Sequence, residues 1–236
     1  MTLMASSGIC MALLVVRRLV LKEHGFGFLP WNLILAWIPL LFSVAFYSMH
    51  VQRSRRRVLF AACAVIWFLF YPNAPYLITD LVHLKQHHSH VPLWFDILMM
   101  MSLAWTGLFL GNLSLYLMQE VIQSWRGRLA GWIFSVSMVA LGSLGVFVGR
   151  FWRWNSWEPL LHPTGLANKA AEHLGEMSIL EAAAFSATFF AFTLLTYTFL
   201  CTFAHLHSAG GLHLAEEADD EEAPPEKAVA VWAGLR

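Results

Sequence analysis

Charge is scarce in this chain. Only 13% of its 236 residues are Asp, Glu, Lys or Arg, 58% are apolar, and the mean hydropathy is +0.58. That balance excludes an ordinary soluble domain and fits a polytopic membrane protein. The charges cancel, 15 basic side chains against 15 acidic, so no basic surplus is left to hold nucleic acid. Cysteine is scarce as well. Cys10, Cys63 and Cys201 stand singly in apolar runs, which excludes a disulfide framework and a cysteine-ligated metal and leaves them as packing residues. A nucleotide loop, GxSxG and HExxH are all missing, and no small-residue cleavage pattern follows the first apolar stretch.

What is present is a series of apolar runs. Residues 3–21 form the first, interrupted by Arg17 and Arg18, and read as a weak span, an interfacial helix or an uncleaved signal-like segment. Trp31 to Met49, residues 58 to about 84, Trp94 to Met118, Leu129 to Gly149 and Ile179 to about Ala204 follow. The expected fold is an all-α transmembrane bundle of about six spans. The expected organisation is an N-terminal apolar segment over 1–30, a helical core over 31–205 and a disordered acidic tail over 206–236. That tail carries Glu216 to Glu226 and the Pro224-Pro225 pair.

Orientation follows from the arginines. The short loop holding Arg53, Arg55, Arg56 and Arg57 reads as cytoplasmic, and so does the turn holding Arg126 and Arg128. Binding of anionic lipid by the first group would also place it inside. Both termini are then cytoplasmic. Arg17, Arg18 and Lys22 fall toward the outer end, against the positive-inside rule.

The third run contains the stretch around which the chain is organised, Tyr71-Pro72-Asn73-Ala74-Pro75-Tyr76-Leu77-Ile78-Thr79-Asp80-Leu81-Val82-His83. Val58 to Tyr71 covers roughly 21 Å as a helix, short of a hydrocarbon core of about 30 Å. Pro72 and Pro75 lack N–H groups and push their predecessors out of the α region. The helix is therefore expected to stop near Tyr71 and restart with Asn73 as N-cap. Broken spans of this kind often carry binding sites. At 100° per residue Tyr76, Asp80, His83 and His87 share an arc of about 60°, with Asn73 beside it and Thr79 on the next face.

Other polar groups are expected at the same outer end: Trp94 to Asp96, and Arg150 to Glu158. Arg150, Arg153, Trp154 and Trp157 share a face if that helix continues, and two arginines at i, i+3 can grip a phosphate or carboxylate. Equally, the arginines can simply close ion pairs with Asp80 and Asp96, because an arginine alone near lipid is costly. The histidines His87, His88 and His90 have some metal-ligand character, with His83 and His87 four apart, but a solvated loop explains them as well, and no metal is assigned. Gly142, Gly145 and Gly149 are spaced for close approach of a neighbouring helix.

Residues 71–83 (YPNAPYLITDLVH), 93–96 (LWFD) and 149–158 (GRFWRWNSWE) resemble the signature segments of an uncharacterised family of bacterial integral membrane proteins, a domain of unknown function. Its pattern reads LPNAPYLxTDLxHL, then a W-aromatic-D, then GRFxRWNSWD. The resemblance runs from about Trp31 to Ala204. It implies a multi-span protein of the bacterial inner membrane and supplies no activity. Its signature positions here are Asn73, Pro75, Tyr76, Thr79, Asp80, His83, Trp94, Asp96, Arg150, Arg153, Trp154, Asn155 and Trp157. Tyr71 replaces a common leucine and Glu158 a common aspartate, and His87, His88 and His90 lie outside the pattern.

Three function classes follow. One is an enzyme acting from the outer side on a lipid head group or lipid-linked anionic substrate. Asp80 or Asp96 would be its base, His83 its acid or base, and Arg150 and Arg153 its anion holders. Asn73, Tyr76, Thr79, Trp94, Trp154, Asn155 and Trp157 complete the expected substrate site. The second is a small-solute transporter. The third is a structural or assembly partner in the membrane. The expected partners are the bilayer and a lipid or anionic small molecule.

Overall fold

A computed structural model describes residues 1–22, 25–53, 56–86, 90–152 and 179–222. Among these every regular element is helical. The helices are α1 (Thr2–Leu19), α2 (Leu29–Val51), α3 (Arg57–Phe70), α4 (Asn73–Tyr76), a 3-10 segment (Leu77–Gln86), α5 (Leu93–Arg126), α6 (Arg128–Phe151) and α7 (Ile179–Glu222). With α3, α4 and the 3-10 segment taken together, 6 stretches of described residues are long and apolar enough to cross a membrane. The weak first run is one of them. α7 continues to Glu222, beyond Ala204 and into the acidic stretch expected to be irregular. Residues 1–196 form one compact unit and 197–236 a second, and the polar site lies within the first.

α5 is the axis of the first unit. Its 34 residues cover about 50 Å, and its polar side chains each face a different neighbour. Thr106 meets α1, where Ser6 Oγ approaches its hydroxyl to 2.6 Å. Thr106 already donates to the Ser102 carbonyl, so Ser6 supplies the proton between them. Asn112 donates to Thr196 on α7 at 3.2 Å. Ser114 accepts the Trp67 indole N–H from α3 at 3.4 Å. Gln119 accepts from Ser135 on α6. Such interhelical bonds are modest singly, roughly 0.6 kcal/mol each, but they fix which faces meet. Together with Trp37 on α2, which donates to Ser7 on α1, they explain why α1 joins the bundle despite its two arginines.

The proline stretch behaves as expected in one respect and not in another. α-Helical bonding ends at Phe70 and resumes at Asn73. The backbone, however, stays right-handed throughout, with Tyr71 at φ −51°, ψ −42° and Pro72 at φ −61°, ψ −23°. Pro75 lacks the N–H that would bond the Tyr71 carbonyl, and the Ala74 N–H takes its place at 3.3 Å. Nor is Asn73 an N-cap. Its side chain turns back and donates to the Phe70 carbonyl at 3.0 Å, closing the helix before it rather than opening the one after.

Glycines make room for the irregular turn. A Cβ on Gly107 would lie 2.5 Å from the Ala74 carbonyl oxygen, and one on Gly111 would lie 3.3 Å from Pro75 Cδ. On α6, a Cβ at Gly142 would lie 2.7 Å from the Tyr71 ring, and one at Gly145 would lie 2.6 Å from Pro72 Cγ. The close approach expected of Gly142 and Gly145 is thus real, and its object is the proline turn.

A candidate anion site at one end of the bundle

The residue pairings fix the register of the spans. Ser6 and Cys10 face Thr106, while Arg17 faces Asp96, so α1 runs antiparallel to α5. The C-terminal ends of α1, the 3-10 segment and α6 therefore gather with the N-terminal ends of α2 and α5. Two arginine–aspartate pairs lie at this end.

The first is closed. Arg17 Nε donates to Asp96 Oδ1 at 2.9 Å and Nη2 donates to Oδ2 at 3.1 Å, a bidentate pair with both residues buried. The Phe26 ring lies over the guanidinium, 4.5 Å from its carbon. Phe26 adopts φ +65° to do so, in the left-handed region that costs roughly 1–2 kcal/mol outside glycine. Gly25 lets the backbone lie against the same guanidinium, where a Cβ would come within 3.2 Å of Nη1.

The second is open. The 3-10 segment winds three residues per turn, so Asp80 and His83 eclipse each other. Arg150, in the last turn of α6, reaches across to both. Its Nη1 lies 3.4 Å from Asp80 Oδ1, 3.5 Å from the Tyr76 hydroxyl and 3.3 Å from His83 Nε2, and Nη2 is also 3.3 Å from that nitrogen. All four contacts are long for a guanidinium. Asp80 is held independently, since Asn32 on α2 donates to its Oδ2 at 2.9 Å. Its side chain is 3% exposed, whereas that of Arg150 is 17% exposed. Phe28 leans on His83 with ring centroids 4.8 Å apart.

Tyr76, Asp80, His83 and Arg150 are thus brought together as one cluster. Asn73 donates to the Phe70 carbonyl, and Thr79 donates to the Tyr76 carbonyl at 2.7 Å. Trp94 is exposed beside Phe95. Asp96, expected as a base or as an ion-pair partner of Arg150 or Arg153, is held by Arg17. Arg153, Trp154, Asn155, Trp157, His87 and His88 lie outside the described residues. Among the described residues no group of His, Cys, Asp and Glu could hold a metal. Asn32, Phe28 and the role of Arg17 escaped sequence reasoning. The signal for Asn32 was a lone amide in an apolar run, and Arg17 showed itself only as a breach of the charge rule.

The helices and their apolar faces define a multi-pass α-helical membrane protein. Residues 31–203 match the family described as "Protein of unknown function (DUF1361)", and the chain belongs to it. No curated protein matches the chain. No solved structure matches it either.

Proposed function

We propose that Tyr76, Asp80, His83 and Arg150 bind the anionic head group of a lipid or lipid-linked substrate, and that His83 moves a proton on it. The supporting observation is the contrast between the two ion pairs. Arg17 is buried and makes two short parallel contacts to Asp96, as a structural lock requires. Among the described residues Arg150 makes long contacts alone and is partly exposed, so a phosphate or carboxylate oxygen can replace weak acceptors with strong ones. Phe28, Trp31, Trp94 and Phe151 are exposed apolar groups at the same end, which suits a ligand with an acyl chain.

The chemistry follows from the contacts. Asn32 anchors Asp80, and Asp80 orients the Arg150 guanidinium. An incoming oxyanion displaces His83 Nε2 from Arg150 and frees its lone pair for general acid–base work. Asp80 has both oxygens engaged and serves as orienter rather than base. Asp96, enclosed by Arg17, serves the fold. The site would face the outer side of a bacterial inner membrane, with both termini cytoplasmic.

Transport fits less well. Asn112, Ser114 and Gln119, the polar residues along the route to the other end, each bond a neighbouring helix. Lipid analysis of the purified full chain tests the proposal. Wild type should retain an anionic lipid that Arg150→Gln loses at an unchanged melting temperature. Equal lipid content in both proteins would remove Arg150 from any binding role.

A further inference from the structure

The opposite end of the bundle carries a second, independent cluster. There α2 ends at Val51, α3 begins at Arg57, and α5 and α6 are joined by the single residue Gly127, whose φ of +86° makes the sharp turn. His50 ties these ends together. Its Nδ1 accepts the Trp125 indole N–H at 3.1 Å, and its Nε2 lies 3.0 Å from Ser124 Oγ. The Trp125 ring also packs on Phe46 of α2 and Phe60 of α3, with centroids 5.9 and 6.2 Å away. One indole therefore sits where three helices meet, with half its surface exposed. Trp seated in this way, apolar on one side and bonded on the other, marks the membrane–water boundary.

Arg53, Arg57, Arg126 and Arg128, all exposed, lie at the ends of these same helices and in the turns next to them. Acid is nearly absent from the helices and turns that meet here. None occurs between Glu23 and Asp80, and Glu120 is the sole one between Asp96 and Glu158. Val58, Leu59 and Leu129, next to Arg57 and Arg128 in the chain, are exposed apolar side chains. Exposed arginines at the helix ends that meet on Trp125, with apolar side chains next to them, match an anionic phospholipid: phosphate at the arginines, glycerol beside Trp125, chains along Leu59 and Leu129.

We infer that this end is an anionic-phospholipid site formed by Arg53, Arg57, Arg126 and Arg128 around the His50–Trp125 pair, separate from the Arg150 cluster. Each arginine near an anionic leaflet contributes about a fivefold preference.

The test uses the full chain reconstituted in phosphatidylcholine vesicles containing a trace of photoactivatable phosphatidylglycerol, with photoactivatable phosphatidylcholine as the comparison. Labelling of peptides bearing Leu59 and Trp125 should favour phosphatidylglycerol by about tenfold or more. Joint substitution Arg53→Gln, Arg57→Gln, Arg126→Gln and Arg128→Gln should bring the ratio close to one. Equal labelling of the wild type by the two probes overturns the inference, as does a ratio that survives the substitutions. If the substituted protein does not insert, salt decides on the wild type. The ratio should fall as the Debye length shrinks from about 10 Å at 0.1 M to about 3 Å at 1 M, and a salt-independent ratio overturns the site. Labels on peptides holding His83 or Arg150 instead would assign the lipid to the other end and equally overturn it.

Discussion

Arg17 and Asp96 meet through two parallel contacts, 2.9 and 3.1 Å long, with essentially no exposure of either side chain. A positive charge is thereby neutralised inside the bundle, and α1 is fastened to α5. Removing one partner leaves the other buried and uncompensated, which typically costs about 3–5 kcal/mol. Arg17→Ala should therefore lower the melting temperature and the amount of protein in the membrane. The double variant Arg17→Met with Asp96→Leu should recover most of that loss. An Arg17→Ala protein that melts like the wild type would contradict the lock.

Arg150 should behave in the opposite way. Its contacts are long, Gln can still donate to Asp80, and Asn32 still holds that buried carboxylate, so Arg150→Gln should cost about 1 kcal/mol or less. Loss of one charge-assisted bond to a bound oxyanion should weaken retention of anionic lipid roughly 10- to 100-fold. Arg150→Lys should rescue little, because an ammonium cannot present the planar fork. Thermal unfolding and lipid quantification on the same samples separate the two effects.

Asn32 is the anchor that sequence reasoning missed. Asn32→Leu removes the donor to Asp80 Oδ2 and leaves a buried carboxylate oxygen short of a partner, a loss of about 1–3 kcal/mol. The expected melting temperature of Asn32→Leu lies below that of Arg150→Gln. The reverse order would mean that Asp80 is held chiefly by Arg150.

The glycine notches give a matched pair. Gly107→Ala puts a methyl group 2.5 Å from the Ala74 carbonyl oxygen, which is backbone and cannot swing aside. A loss of about 1–3 kcal/mol is expected from such overpacking. Gly8→Ala, with nothing within 4 Å of the new Cβ, should be neutral or raise stability by up to about 1 kcal/mol through helix propensity. Thermal unfolding in detergent compares them directly, and equal effects would mean the proline turn needs no notch.

Much of this was legible in the residues, for definable reasons. Asp80, His83 and Arg150 stood out because ionisable groups in apolar runs need partners, and alternating spans bring their ends together. Gly142 and Gly145 were legible as close contacts, though not which residues they approach. The Arg17–Asp96 pairing was hidden because nothing in α1 says which carboxylate it faces. Asn73 was misread because residue type favours a cap without saying which helix it closes. The winding beyond Tyr76 left no trace either: prolines reveal where α-bonds are lost, not how the chain continues.

That winding has a mechanical consequence. Residues Leu77–Gln86 rise about 2.0 Å each in a 3-10 helix but about 1.5 Å each in an α-helix, so ten residues differ in length by about 5 Å. The turn per residue differs by about 20°, which accumulates to roughly 120° between Leu77 and His83. Rewinding this segment to α would shorten it by that length and swing the His83 imidazole off Arg150 by a third of a revolution.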